Sequence, residues 1–560
     1  MLAAKMGLSP LGQGDRHIFF DLQTDTRETA KGAKKMSQSP PCDRALSEIA
    51  DYALSAVIES PEAYQTARLC LMDSLGCAML ALGYPECRRL LGPLVPGAVL
   101  AGGVRVPGTD WELDPVQAAF NIGATIRWLD FSDSWLAAEW GHPSDNLGAI
   151  LACADWVSRL AERSRGLSQF SRQEAAKMGL SPLERKVGPK GTGTFFALEG
   201  QKMSQSPAGE LSVRDILTAT IKAYEIQGVL SLENGFNRVG LDHVLLVRVA
   251  SAAVATAMLG GSRDQVLNAV SNAWIDGGCL RTYRHAPNTG SRKSWAGGDA
   301  TSRGVRLALM AMQGEMGYPY VLSAPTWGFC DAILRGQPLR VSRPYSSYVI
   351  EHILFKAAYP AEFHAQTAVE AAVQLYPEVQ GRLDQIERVR IDTQQSAARI
   401  IDKRGPLHNP ADRDHCIQYM VAVALLEGTL SAEHYQDEYA QNPRIDRLRE
   451  KMEVVEVPHY SRDYLDPQKR SVANAVQVFF TDGSATQRVE VEYPMGHLRR
   501  RGEVVPLLER KFQANVASRL PDERCQRLLE LFRDPPRLES LPAEQFMGLW
   551  VPATSRRTGA

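Results

Sequence analysis

From about Leu46 to Val341 the apolar residues recur at intervals of three and four, the repeat of helices that each bury one face. Leu46, Ile49, Ala53 and Val57 form one such stripe. Ser60, Pro61 and Glu62 then supply a cap, a first-turn proline and an acidic first turn for a helix that runs to Leu82. The same reasoning predicts helices over 114–129, 144–160, 212–232, 243–259, 262–274 and 300–313. Many of their faces are rich in Ala and Gly, which allows helix axes to approach closely. The pattern therefore predicts a large all-helical domain.

Beyond Pro344 the repeat changes. A helical stretch over 365–375 leads into IERVRIDT, where Val389, Ile391 and Thr393 alternate with polar residues as in a half-buried strand. Residues 412–426 read as helix again. Val476, Val478 and Phe480 face Val489, Val491 and Tyr493 across a turn containing Asp482-Gly483, the pattern of a β-hairpin with a slightly long loop. The fold class expected is mainly α, with a helical domain over 43–345 and a smaller α+β domain over 346–498. Helices over 499–560 are expected to return to the first domain, and residues 1–42 to form a flexible arm. AAKMGLSPL stands at 3–11 and again at 175–183, and KMSQSP at 35–40 and 202–207. These Lys/Ser/Gly/Pro-biased repeats read as the arm and a surface insertion at about 160–210, rather than as an architectural unit.

A chain of 560 residues exceeds what one hydrophobic core supports, which agrees with two domains. Lys plus Arg number 63 against 64 for Asp plus Glu, a net charge of -1, so a general nucleic-acid or anionic-membrane binder is not expected. No apolar run approaches the roughly 18 to 20 residues that cross a bilayer. The nine cysteines include no CxxC pair, which fits buried thiols in a reducing compartment and disfavours a zinc ribbon or Cys-ligated iron-sulfur cluster. The expected location is cytoplasmic, or mitochondrial if the host is eukaryotic.

Polar residues cluster in RWLDFSDSWLAAEWGHPSDN, 127–146. Asp130 closes one helix, Asp133 and Ser134 follow within a turn, and His142-Pro143-Ser144 starts the next, so the segment is a loop held between scaffold helices. A carboxylate and an imidazole converging there suit general acid-base work, although helix capping explains Asp133 and Ser144 equally well. Between 280 and 303, Arg281, Arg284, His285, Arg292, Lys293 and Arg303 stand among glycines, as a polycarboxylate or phosphate site requires and as a solvated basic loop also would. Arg238 and His243 lie at a helix start, and Lys356 and His364 flank Pro360; core packing accounts for either pair. HExxH, GxSxG and GxGxxG after a strand are absent, which disfavours zincins, α/β-hydrolases and dinucleotide enzymes.

Five blocks, DSLGCAMLAL, RWLDFSDSWLAAEWGHPSDN, ENGFNRVGLDHVLLV, SRKSWAGGDATSR and YPAEFHAQTAVEA, resemble the family that includes 2-methylcitrate dehydratase and cis-aconitate decarboxylase, the MmgE/PrpD family. The likeness runs from about Leu46 to Asn515, interrupted near 160–210. It implies a helical domain and a lid domain with the active site in the cleft between them. It implies dehydration of 2-methylcitrate to 2-methyl-cis-aconitate in propionate breakdown, with no metal and no iron-sulfur cluster; the alternative is cis-aconitate decarboxylation or another tricarboxylate lyase of the same fold. The resemblance carries catalytic roles to Asp130, His142, Lys293 and His243. It carries substrate binding to Ser134, Lys356 and His364, to which the cation cluster adds Arg281 and Arg284. Position 134 is usually Thr in the family, and Ser134 keeps the hydroxyl. Which of Asp130 and His142 is acid and which base stays open. The expected partner is a small tricarboxylate, with the chain a monomer or homodimer.

Overall fold

Helix starts are fixed by side chains at the positions the pattern singles out. Ser60 Oγ accepts from Ala63 N, and Asp114 accepts from Val116 N and Gln117 N ahead of Pro115. Ser212 and Ser262 form capping boxes with Asp215 and Gln265. The computed structural model describes residues 42–161, 211–285, 287–466 and 468–552; the arm, both copies of the repeats and nearly all of the insertion lie outside them. From these starts run Arg44–Ser55, Pro61–Ala81, Pro115–Arg127, 147–161, Val213–Ser231, Val244–Met258 and Arg263–Ile275. Residues Pro143–Asn146 form a 3₁₀ turn rather than the first turn of the helix that follows.

Two helices differ from expectation. The one expected from residue 300 begins at Arg292 and runs to Met312, with Gly297 and Gly298 inside it. Glycines inside a helix cost about 1 kcal/mol each relative to alanine, which is why they read as a break. Here they permit contact. A Cβ on Gly298 would stand 2.7 Å from Ala124 N, and one on Gly123 only 2.8 Å from Gly298 Cα, so this helix and Pro115–Arg127 cross through their glycines. The helix expected over 412–426 is instead two, Pro410–Arg413 and Ile417–Glu427, with Asp414, His415 and Cys416 between them.

The strands form a small ribbon, β1 (Val104–Arg105) with β2 (Glu112–Leu113), and a sheet of β3 (Ile386–Thr393), β4 (Met452–Glu456), β5 (Asn474–Phe480) and β6 (Val489–Val491). The sheet order is β4-β3-β5-β6, with β3 parallel to β4 and antiparallel to β5. The expected hairpin is present, but Tyr493 lies outside it and β6 pairs only with 474–476. A tight turn, Phe480 N donating to Ser484 O, precedes the irregular return. Strand β4, short and rich in charge, carries no readable alternation.

Two hydrophobic cores account for most buried apolar residues. Among the described residues, one joins residues from Leu46 to Ala357 with Val504 to Trp550, and the other gathers Tyr359 to Val491 around the sheet. Phe355 and Ala357 belong to the first and Tyr359 to the second. Lys356 therefore stands where the chain passes from one core to the other.

Candidate active site

The helix Pro115–Arg127 ends three residues before Asp130, whose φ of 49° is left-handed. That conformation costs a non-glycine residue on the order of 1 kcal/mol and persists only when its surroundings impose it. They do so here through charge. Asp130 Oδ1 accepts from Arg127 Nη1 at 2.5 Å and from Lys356 Nζ at 2.6 Å, while its own carbonyl accepts from Lys356 Nζ at 2.7 Å. Lys293 Nζ is 3.5 Å from Oδ2. Asp130 is 4% exposed. Burial raises its affinity for a proton, but the charges of Arg127, Lys356 and Lys293 overcome that and hold the carboxyl well below its ordinary range.

Lys356 is brought in by the backbone. Ser134 and Leu354 exchange hydrogen bonds of 2.8 and 3.0 Å, which joins the 130–135 loop to the segment carrying Lys356. Lys293 is brought in by the glycine crossing, since it lies in the first turn of the helix that Gly297 and Gly298 press against its neighbours.

His142 Nδ1 lies 2.7 Å from the carbonyl of Asp133 and 3.3 Å from Ser134 Oγ. A carbonyl only accepts, so Nδ1 carries the proton. Burial and then the Arg127 charge push the imidazole well below its ordinary value, so the ring is neutral near pH 7. Its Nε2 is then a bare lone pair, 3.8 Å from Asp130 Oδ1. The ring of His243 stands edge-on to it at 5.6 Å between centroids. His243 Nδ1 is 3.3 Å from Asp242 Oδ1, and Asp242 accepts from Arg284 and, at 3.5 Å, from Arg281 Nη1. Burial opposes ionisation of Asp242, but Arg284 above all holds its carboxyl far below the usual range.

A small cavity is lined by Arg127, Asp130, Ser134, His142, His243, Arg281, Arg284, Lys356, Glu362 and His415, together with apolar and glycine wall residues. Four cations thus meet two carboxylates around it. The expected residues gather here with two qualifications. Lys293 does not line the cavity; it is held between Asp130 and Asp414, whose Oδ2 accepts from Lys293 Nζ at 2.5 Å. His364 stands behind Glu362, its Nδ1 2.8 Å from Glu362 Oε1 and its Nε2 3.1 Å from Tyr464 Oη.

Sequence reasoning overlooked Arg127, Glu362, Asp414 and His415. His415 Nδ1 is 2.9 Å from Asp414 Oδ1, so a second imidazole, oriented by a carboxylate, faces the cavity. Both sit in the gap between two helices that the periodicity read as one, so no local pattern singled them out. Donor atoms of Asp130, Asp414 and His415 lie within 4.8 Å of one another, the spacing of a cation site. The Lys293 ammonium lies against both carboxylates and supplies positive charge there itself.

Comparison with known proteins matches the sequence model of the MmgE/PrpD N-terminal domain to residues 47–342 and that of the MmgE/PrpD C-terminal domain to 359–534. The 2-methylcitrate dehydratase of Escherichia coli (strain K12) is 55% identical over 515 residues, 91% of this chain and 98% of that protein. The protein of that name from Cupriavidus necator is 54% identical over 518 residues, 92% and 98% of the two chains. The mitochondrial 2-methylcitrate dehydratase of Yarrowia lipolytica is 50% identical over 493 residues, 88% and 87% of the two.

Proposed function

We propose that this chain, which belongs to the MmgE/PrpD family, is a hydro-lyase that removes water from 2-methylcitrate to give 2-methyl-cis-aconitate. The observation that carries the reading is a neutral imidazole with a free Nε2 facing a cavity where cations outnumber carboxylates. A substrate with three carboxylates needs such charge, and its weakly acidic C–H needs such a base.

In this reading His142 Nε2 takes the proton from the methyl-bearing carbon, the C–H pair becomes the double bond, and the C–O bond to the tertiary hydroxyl breaks. His415, oriented by Asp414, protonates the departing hydroxyl, so water leaves and charge balances. Burial first, and then Lys293, lower the proton affinity of His415 in the free protein. A bound trianion raises it, which readies the ring as the acid. The environments of the two imidazoles thus separate their roles.

Asp130 was a candidate for one of these two duties. Its depressed carboxyl supports a different part, the ionised hub that fixes Lys356, Lys293 and Arg127. Arg281, Arg284 and Lys356 neutralise substrate carboxylates and the charge that builds on one of them. Ser134 and His243 orient His142, and His364 orients Glu362. The residues around the sheet form a lid over the helical part, with the cavity in the cleft between, and closure excludes water and strengthens each charge interaction. No step needs a metal or iron-sulfur cluster.

Purified protein offered 2-methylcitrate, citrate and cis-aconitate, with enoate absorbance and CO₂ release followed in parallel, tests the reading. The expected result is enoate from 2-methylcitrate without CO₂, undiminished by a chelator. CO₂ from cis-aconitate with no enoate from 2-methylcitrate would make the chain a decarboxylase instead.

A further inference from the structure

A second, larger cavity of about 730 Å³ lies beside the candidate site and plays no part in the chemistry described so far. Its walls carry Arg238, Arg343, Lys469 and Arg470 against one carboxylate, Glu233. Glu233 is already 4.0 Å from Arg340, and Lys469 is 2.9 Å from Asp463. Among the described ion pairs, none involves Arg238, Arg343 or Arg470. Arg343 lies over the Tyr348 ring at 3.6 Å, and Arg470 lies over the Trp135 ring at 4.7 Å and bonds the Leu136 carbonyl at 2.8 Å and Tyr348 Oη at 3.1 Å. Guanidinium groups with no carboxylate within bonding distance suit an anion, although Glu225 acts on Arg343 from farther off.

The two cavities share a wall. Leu136 lines both, and Arg470 holds its carbonyl. Tyr464 lines the outer cavity and bonds His364, which holds Glu362 of the inner one.

We propose that the outer cavity is a cationic antechamber that binds the polycarboxylate before it passes Leu136 to the inner site. The proposal rests on the polycarboxylate reading above for its ligand, and on the unpaired arginines and shared wall for its place. Positive potential in a low-dielectric recess concentrates an anion there and speeds its capture, an effect that salt suppresses. The carboxylates would bind Arg343 and Arg238, while Lys469 stays with Asp463.

The test compares wild type with the double variant Arg238→Gln/Arg343→Gln. At low ionic strength kcat/KM for 2-methylcitrate should fall about 5- to 20-fold with kcat within about twofold, and the gap should close at high salt. An unchanged kcat/KM at low salt, or kcat falling in step with it, overturns the proposal. A second arm needs no turnover. Calorimetric titration of wild type with tricarballylate, which has no hydroxyl to lose, should show two sites, the weaker of which disappears in Arg238→Gln/Arg343→Gln. A single site in wild type, or two sites that both survive in the variant, contradicts it. If wild type fails to turn over 2-methylcitrate, the reaction assignment fails while the titration still decides the antechamber.

Discussion

At the scale of single residues, everything turns on how much positive charge one buried carboxylate holds in place. Asp130→Asn removes that charge and leaves Arg127, Lys356 and Lys293 facing one another. Stripping one partner from a buried ion pair typically costs about 3 to 5 kcal/mol. The variant should therefore lose turnover and also unfold at a clearly lower temperature, measured by calorimetry beside initial rates. An unshifted melting temperature would mean that the hub carries no such tension. His142 behaves differently because it is neutral. Its proton affinity is depressed on folding, so the unfolded chain binds a proton as pH falls below about 6.5 while the buried ring does not. Stability is lost over that window, down to the folded value, and is unaffected above it. The polar loop of 127–146 and the cations at 281, 284 and 293 were legible in the sequence, because charged residues in an apolar setting announce themselves. Asp414 and His415 were not, since charges near a helix end ordinarily face solvent.

At the scale of elements, the site depends on two helices meeting through glycine. Gly298→Ala would gain about 1 kcal/mol in helix propensity, but the new methyl would stand 2.8 Å from the carbonyl oxygen of Phe120. Overpacking of this kind costs about 1 to 3 kcal/mol, so the contact wins. The expected outcome is lower stability in urea together with reduced turnover, because the displaced helix carries Lys293. A variant more stable than wild type would show that the helices can part freely. The same glycines explain a misreading. Gly297-Gly298 looks like the end of a loop when only propensity is weighed, and becomes the middle of a helix once a close neighbour is known. The break at Asp414 is the converse case, a gap in what reads as one helix, at a residue that pairs with distant Lys293, which no local pattern records. Strand β3 and the helices opened by Ser60, Asp114, Ser212 and Ser262 were readable because cap chemistry and alternation are local.

At the scale of the molecule, the C-terminal helices do more than complete a core. Lys511, on the helix Arg501–Ala517, reaches the carbonyls of Phe131 at 2.6 Å and Lys356 at 2.8 Å and pairs with Asp73 at 2.7 Å. It thus fastens the loop that carries Asp130 to the segment that carries Lys356. Lys511→Met should lower the melting temperature, by leaving Asp73 buried and unpaired, and should reduce turnover though the residue does not line the cavity. Full activity in a folded variant would detach the C-terminal helices from the site. That the chain is mainly helical was visible in the repeat before Pro344, and strands β3, β5 and β6 in the change of repeat beyond it. The return of residues 504–550 to the first core was visible only as amphipathicity, which says that a face is covered and not by what.

The most direct test is the rate at which His142→Ala forms 2-methyl-cis-aconitate from 2-methylcitrate, measured beside wild type in a chelator. A general base contributes about 10² to 10⁴ in rate, roughly 3 to 5 kcal/mol, so turnover should fall by that factor with the melting temperature nearly unchanged above pH 7. Enoate formation at the wild-type rate by a folded His142→Ala protein would contradict the assignment of the proton to that imidazole.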